Sequence, residues 1–126
     1  MRYILRTCKG REEYADYVKR IIPSVEISFD QGKGAMSNFI QSLEMSGDDA
    51  VVNLEDDIWI TNNFETKLND AIANVQDFCV QFFSMRKADL TIGSRWDYGR
   101  SYLMAQCTYF PKKMSKGILA FSKKYD

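Results

Sequence analysis

The chain has 126 residues, 45% of them hydrophobic and 13% aromatic, with 17 Lys plus Arg against 17 Asp plus Glu and no histidine. This length suits one domain, 1–126, around a single core, and the balanced charge disfavours binding to a polyanion backbone. The lack of histidine removes Ser-His-Asp and Cys-His nucleophilic systems, histidine general bases and most zinc sites, which leaves chemistry to carboxylates, hydroxyls, thiols, Lys or Arg.

Nothing approaches the run of roughly 18 apolar residues that a membrane span requires, so no membrane anchor is expected. Cys8, Cys79 and Cys107 are widely spaced in apolar contexts and show no zinc pattern, which reads as reduced, packed thiols in a cytoplasmic protein. The charged start, Met1-Arg2-Tyr3-Ile4-Leu5-Arg6, does not read as a secretory signal.

In chain order, Tyr3 to Cys8 predicts a first strand, ended by Lys9-Gly10. Tyr14, Tyr17, Val18, Ile21 and Ile22 recur at helical spacing, which predicts an amphipathic helix over Arg11 to Ile22, stopped by Pro23. Ser24 to Phe29 alternates with period two as a second strand and runs into the turn Asp30-Gln31-Gly32-Lys33-Gly34. Ala35 to Met45 predicts a second helix with Met36, Phe39, Ile40 and Leu43 as its apolar stripe.

Ala50 to Leu54 is the third strand, and it leads directly into three consecutive carboxylates, Glu55, Asp56 and Asp57. A helix follows with Phe64, Leu68, Ala71, Ile72 and Val75 on one face. Thr61, Asn62 or Asn63 would cap it, and Glu65 lies three residues beyond Asn62 as a capping box requires. The acids thus sit at the C-terminal end of a strand, the edge at which open α/β sheets bind ligands. Three adjacent carboxylates repel one another, so they are either neutralised by a cation or left in water as a solvated acidic turn.

Phe78 to Met85 is β-rich and mostly apolar, as for an interior strand covered on both faces. Arg86 to Arg100 reads as a long loop in which Leu90-Thr91-Ile92 could form a short strand. Tyr102 to Phe110 predicts a last strand, and Pro111 opens a closing helix with Met114, Ile118 and Phe121 facing inward. The alternation predicts a three-layer α/β/α domain with a mostly parallel sheet, in which Thr7, Asp30 and Glu55 to Asp57 share one rim.

This order of elements, with Leu54-Glu55-Asp56-Asp57 ending the third strand, resembles the nucleotide-sugar-binding part of a GT-A glycosyltransferase. The Leu-Glu-Asp-Asp form looks like that of family 25-like and related phage and bacterial enzymes. The resemblance runs from Tyr3 to about Lys124, and its short motif is moderately specific. It implies a metal-dependent transferase that moves a sugar from a nucleotide-sugar donor, UDP-sugar favoured, to an acceptor such as a glycan, a protein or a nucleic-acid base. The compartment would be cytoplasmic, including a host cytoplasm for a phage protein.

The implied cofactor is Mn²⁺ or Mg²⁺, which can bridge a diphosphate with one or two carboxylates and waters. Asp57 is the first candidate for metal contact, with Glu55 as second, and Glu55 or Asp56 for ribose or supporting contacts. In extended backbone Glu55 and Asp57 would point one way and Asp56 the other. The resemblance places Arg6, Thr7, Arg11, Asp30, Lys33 and Asn38 around the nucleotide, and Arg95, Trp96 and Gln106 near donor sugar or acceptor. Each has a plainer role open to it, such as a surface cation, a turn former or a core cover.

Two departures stand against this resemblance. Many family members draw a further metal ligand, often histidine, and acceptor-binding structure from beyond the point where this sequence ends. No strong catalytic base is evident, Asp97 and Asp89 being the loop carboxylates available to an inverting transfer. The chain would then be a minimal enzyme, a shortened one, or a non-catalytic relative that serves as a nucleotide-sugar-binding or protein-interaction module. A response-regulator receiver is disfavoured because here the acids follow two earlier strands and too little chain remains for a phosphorylatable aspartate and the later Thr/Ser and Lys at their usual separation.

Overall fold

The computed structural model describes residues 1–75, 77–82 and 106–125. These form five strands and four helices: β1 (Arg2–Thr7), α1 (Glu12–Ile21), β2 (Glu26–Phe29), α2 (Ala35–Ser46), β3 (Val51–Glu55), α3 (Phe64–Ile72), β4 (Val80–Gln81), β5 (Cys107–Phe110) and α4 (Lys112–Lys124). The strands make one sheet in the order β2-β1-β3-β5-β4.

The first half follows the parallel pairing that alternating strands and helices predict, with β1 parallel to both β2 and β3. The second half does not. β5 runs antiparallel to β3 and to β4, so the sheet is mixed rather than mostly parallel. Among the described residues β4 is a two-residue strand at the end of the order, and Phe83 to Met85 of the expected strand lie outside them. Alternation of strands and helices fixes direction only where a helix crosses between neighbours, and no described helix lies between β4 and β5.

Side-chain alternation along β1 and β3 divides the core in two. Tyr3, Leu5, Val52 and Leu54 face α1 and α3, joining Ala15, Val18, Ile22 and Leu68. Ile4 and Val51 face the other way, joining Leu43 of α2 and Phe110, with Phe39, Ile118 and Leu119 packed against them. Helices thus cover both faces of an α/β sheet. Truncating a fully buried residue such as Leu5 or Leu43 to Ala would cost about 2–5 kcal/mol.

Several apolar residues expected in the core are outside it. Met36 is 73% exposed and Phe121 65% exposed, and Tyr14, Ile21 and Met114 are exposed as well. The buried side of α2 is largely polar, made of Asn38, Ser42 and Ser46 with Leu43, and α4 buries Ser115. Small hydroxyls let α2 and α4 approach, with the Ser46 and Ser115 oxygens 3.5 Å apart.

The helix ends also differ from expectation. Asn63 precedes α3 in a left-handed conformation with φ 58° and makes no side-chain cap, so the Asn62–Glu65 capping box does not form. Pro111 caps α4 from outside, its first helical residue being Lys112. β5 begins at Cys107, and Tyr102 to Ala105 and Leu90-Thr91-Ile92 lie outside the described residues.

Candidate functional site

The C-terminal ends of β1, β2 and β3 surround a cleft of about 280 Å³ lined by Arg6, Thr7, Cys8, Arg11, Asp30, Ala35, Asn38, Glu55, Asp56 and Asp57. Parallel pairing brings them together, because Arg6 stands opposite Glu55 on one side and Ser28 on the other, and Thr7 opposite Phe29.

The three acids are divided between the two faces of the sheet. Glu55 continues the face of Val51 and Asn53, where its Oε1 accepts from Arg6 Nη2 at 3.0 Å. Arg6 is only 8% exposed and also donates from Nε to Asn53 Oδ1 at 2.6 Å, with its guanidinium 5.4 Å from the Phe39 ring centre. Asn53 in turn donates to Ser42 Oγ at 2.5 Å. A buried cation requires such partners on all sides, and this network supplies them from β3 and α2.

Asp56 turns to the α1 side. Its Oδ2 accepts the Thr7 hydroxyl at 2.6 Å and its Oδ1 lies 2.7 Å from Arg11 Nη2, so a carboxylate of 7% side-chain exposure has both oxygens engaged. Asp57 lies past the end of β3, where alternation no longer applies, and it sides with Asp56 rather than with Glu55. Its Oδ2 is 3.8 Å from the same Arg11 nitrogen, and its side chain is 53% exposed. The hydrogen bond to Asp56, and then the charges of Asp56 and Asp57, raise the Arg11 pKa above its ordinary value.

The floor comes from β2 and α2. Asp30 Oδ1 accepts the backbone N–H groups of Gly32, Lys33 and Gly34 at 3.0, 3.0 and 3.2 Å. This folds the turn around the carboxylate, with Gly32 and Gly34 at φ 82° and 92°, values that favour glycine. Asn38 donates to the Thr7 carbonyl at 3.2 Å and accepts from Ser28 Oγ at 2.6 Å, which ties α2 to the ends of β1 and β2.

Of the residues singled out from sequence, Arg6, Thr7, Arg11, Asp30, Asn38, Glu55, Asp56 and Asp57 line this cleft, whereas Lys33 and Gln106 do not. Lys33 contributes a turn N–H, and the Gln106 carbonyl accepts from Glu55 N at 2.8 Å. Arg95, Trp96, Asp97 and Asp89 lie outside the described residues. Cys8, expected only to pack, is half-buried and lines the cleft, a position its place directly after Thr7 could have signalled. Ala35, the first residue of α2, lines it as well, and nothing in its residue type signals that.

Among the described residues no three His, Cys, Asp or Glu side chains converge as a ready-made metal site. A Mg²⁺ or Mn²⁺ held largely by phosphate and water oxygens requires no such group, since one or two carboxylates suffice. The donor chemistry fits that case. Asp57 offers exposed hard oxygen, Asp56 is fixed beside it, and two guanidiniums against four carboxylates leave the lining two negative charges in excess. Among the described residues no helix is long and apolar enough to cross a membrane. In comparisons with known proteins, no family model matches the chain, and no curated protein or solved structure matches it significantly.

Proposed function

We propose that the cleft binds the diphosphate of a nucleotide-sugar together with Mn²⁺ or Mg²⁺, and that the protein is a GT-A-like glycosyltransferase with UDP-sugar as the favoured donor. The observation that carries this reading is the charge of the cleft. An anionic diphosphate alone would be repelled by the excess of carboxylates, whereas one that arrives with a divalent cation would be drawn in.

The metal, held by Asp57 with Asp56 in support, would neutralise charge on the departing diphosphate. The chain's own groups do the rest. Asp30 spends Oδ1 on its turn, so Oδ2 is the oxygen with capacity for a ribose hydroxyl. The start of α2, which has no acidic residue in its first turn and no side-chain cap, favours a phosphate next to Ala35. Arg6 holds Glu55 and Thr7 holds Asp56, so the acids keep their positions when ligand enters. In transfer the bond from the sugar's anomeric carbon to the diphosphate oxygen breaks, and a bond from that carbon to an acceptor oxygen forms. The acceptor proton passes to a base, for which Asp97 is the candidate.

Release of UDP from UDP-sugars by the full chain with Mn²⁺, and its loss in Asp57→Asn, tests the reading. Binding of UDP with Mn²⁺ but no release from any sugar would favour the non-catalytic nucleotide-sugar-binding module. Neither binding nor release would overturn both.

A further inference from the structure

We propose that Arg11 is an internal counter-cation for the acidic end of β3, which a divalent cation and a diphosphate displace jointly. This rests on the donor-site reading above and specifies how that site is regulated.

Arg11 and its carboxylates meet in an unfinished way. A guanidinium commonly grips a carboxylate with two parallel N–H groups. Here Nη2 alone spans Asp56 Oδ1 at 2.7 Å and Asp57 Oδ2 at 3.8 Å. Among the described residues Arg11 Nε, a buried atom on a side chain that is 37% exposed overall, has no hydrogen-bond partner. A charged donor left without an acceptor favours the arrival of one, and a phosphate oxygen supplies it.

The residue's backbone is anchored independently of its side chain. Its backbone is fixed by N–H donation to the Cys8 carbonyl at 3.2 Å and by its own carbonyl, which accepts from Ala15 N at 3.2 Å. The guanidinium lies 5.1 Å from the centre of the exposed Tyr14 ring, a second face on which a cation can rest. Thr7 keeps Asp56 Oδ2 in place without Arg11.

A metal ion at Asp57 and Asp56 Oδ1 would bind the oxygens that Arg11 Nη2 now contacts, and its charge at that range would repel the guanidinium from them. Metal alone must therefore evict Arg11 with nothing offered in exchange. Metal with diphosphate evicts it and provides a new partner. The two ligands then bind cooperatively, and by linkage the coupling is mutual.

The test measures Mn²⁺ affinity of the full chain from the spin-resonance signal of free Mn²⁺, with calorimetry of UDP in saturating Mn²⁺, for wild type, Arg11→Gln and Arg11→Lys. Arg11→Gln is expected to bind Mn²⁺ alone about tenfold tighter and UDP with Mn²⁺ about tenfold weaker, within the range of typical coupled sites. Arg11→Lys keeps the cation and is expected to stay near wild type for Mn²⁺ alone. Circular dichroism checks folding, and Arg11→Met, likewise uncharged, replaces Arg11→Gln should that variant not fold. Unchanged or weaker binding of Mn²⁺ alone in the uncharged variant overturns the proposal. If wild type still binds UDP in a manner dependent on Mn²⁺ and Asp57, the donor site stands and only the role of Arg11 falls. If no variant binds Mn²⁺ or UDP, both fall.

Discussion

Thr7 Oγ1 lies 2.6 Å from Asp56 Oδ2, a hydrogen bond that joins the end of β1 to the first residue beyond β3. The two strands are parallel neighbours, so the contact depends on their register and fixes the acidic turn against the sheet. Thr7→Val keeps the shape and removes the hydroxyl, leaving Asp56 to Arg11 alone. A buried hydrogen bond to a charged group is worth about 1.5–3 kcal/mol, and urea unfolding of Thr7→Val is expected to show a loss of that size.

The Arg6–Asn53–Ser42 chain gives a second prediction. Asn53→Leu removes the acceptor of Arg6 Nε and the donor to Ser42 Oγ while adding no polar group, so a buried guanidinium loses a hydrogen bond. The expected loss is about 3 kcal/mol, larger than the loss of about 1 kcal/mol for Ser42→Ala, whose hydroxyl also donates to Phe39 O within its own helix. Equal losses in the two unfolding curves would mean that Asn53 does not support Arg6.

How far this site could be read from sequence depends on which force set each part. The run from β1 to β3 follows hydrophobic periodicity, and the strand-end residues follow from it, so Thr7, Asp30 and Glu55 to Asp57 are legible as one edge, whereas Arg6 entered only through the family resemblance. Periodicity does not record partners, and the split of Glu55 to Arg6 but Asp56 and Asp57 to Arg11 arises because β3 ends at Glu55. It also misled where small polar residues pack. Ser42, Ser46 and Ser115 are buried while Met36 and Phe121 are not, because hydroxyls bonded within their own helices or to neighbours can be covered closely. The antiparallel insertion of β5 between β3 and β4 is a tertiary choice that no local pattern encodes.

The three thiols are expected to differ in reactivity. Burial pushes the Cys107 thiol up to about 12 and the Cys79 thiol up to about 11, whereas Cys8 lines the cleft. Maleimide at pH 8 should modify Cys8 first, with Cys107 reacting only as the protein unfolds, as peptide mass mapping would show. UDP with Mn²⁺ should slow the reaction at Cys8. First reaction at Cys107 would contradict the packing of β5.

The same shift makes Cys107 a source of alkaline instability. Its folded pKa lies above the unfolded value of 9.0, so the folded state retains a proton that the unfolded chain releases. The stability it contributes is full below pH 9 and declines as pH rises from 9 toward about 12. Cys107→Val is expected to flatten the stability-against-pH curve in that window relative to wild type.

The central claim is that the cleft takes a nucleoside diphosphate only with a divalent cation and through Asp57. Calorimetric titration of UDP into the full chain, with and without Mn²⁺, for wild type and Asp57→Ala, tests it most directly. The account predicts a saturable binding heat in wild type with Mn²⁺, and none without the metal or in a folded Asp57→Ala. UDP binding of equal strength with and without Mn²⁺, or undiminished in Asp57→Ala, would contradict it, as would the absence of binding to any nucleoside diphosphate.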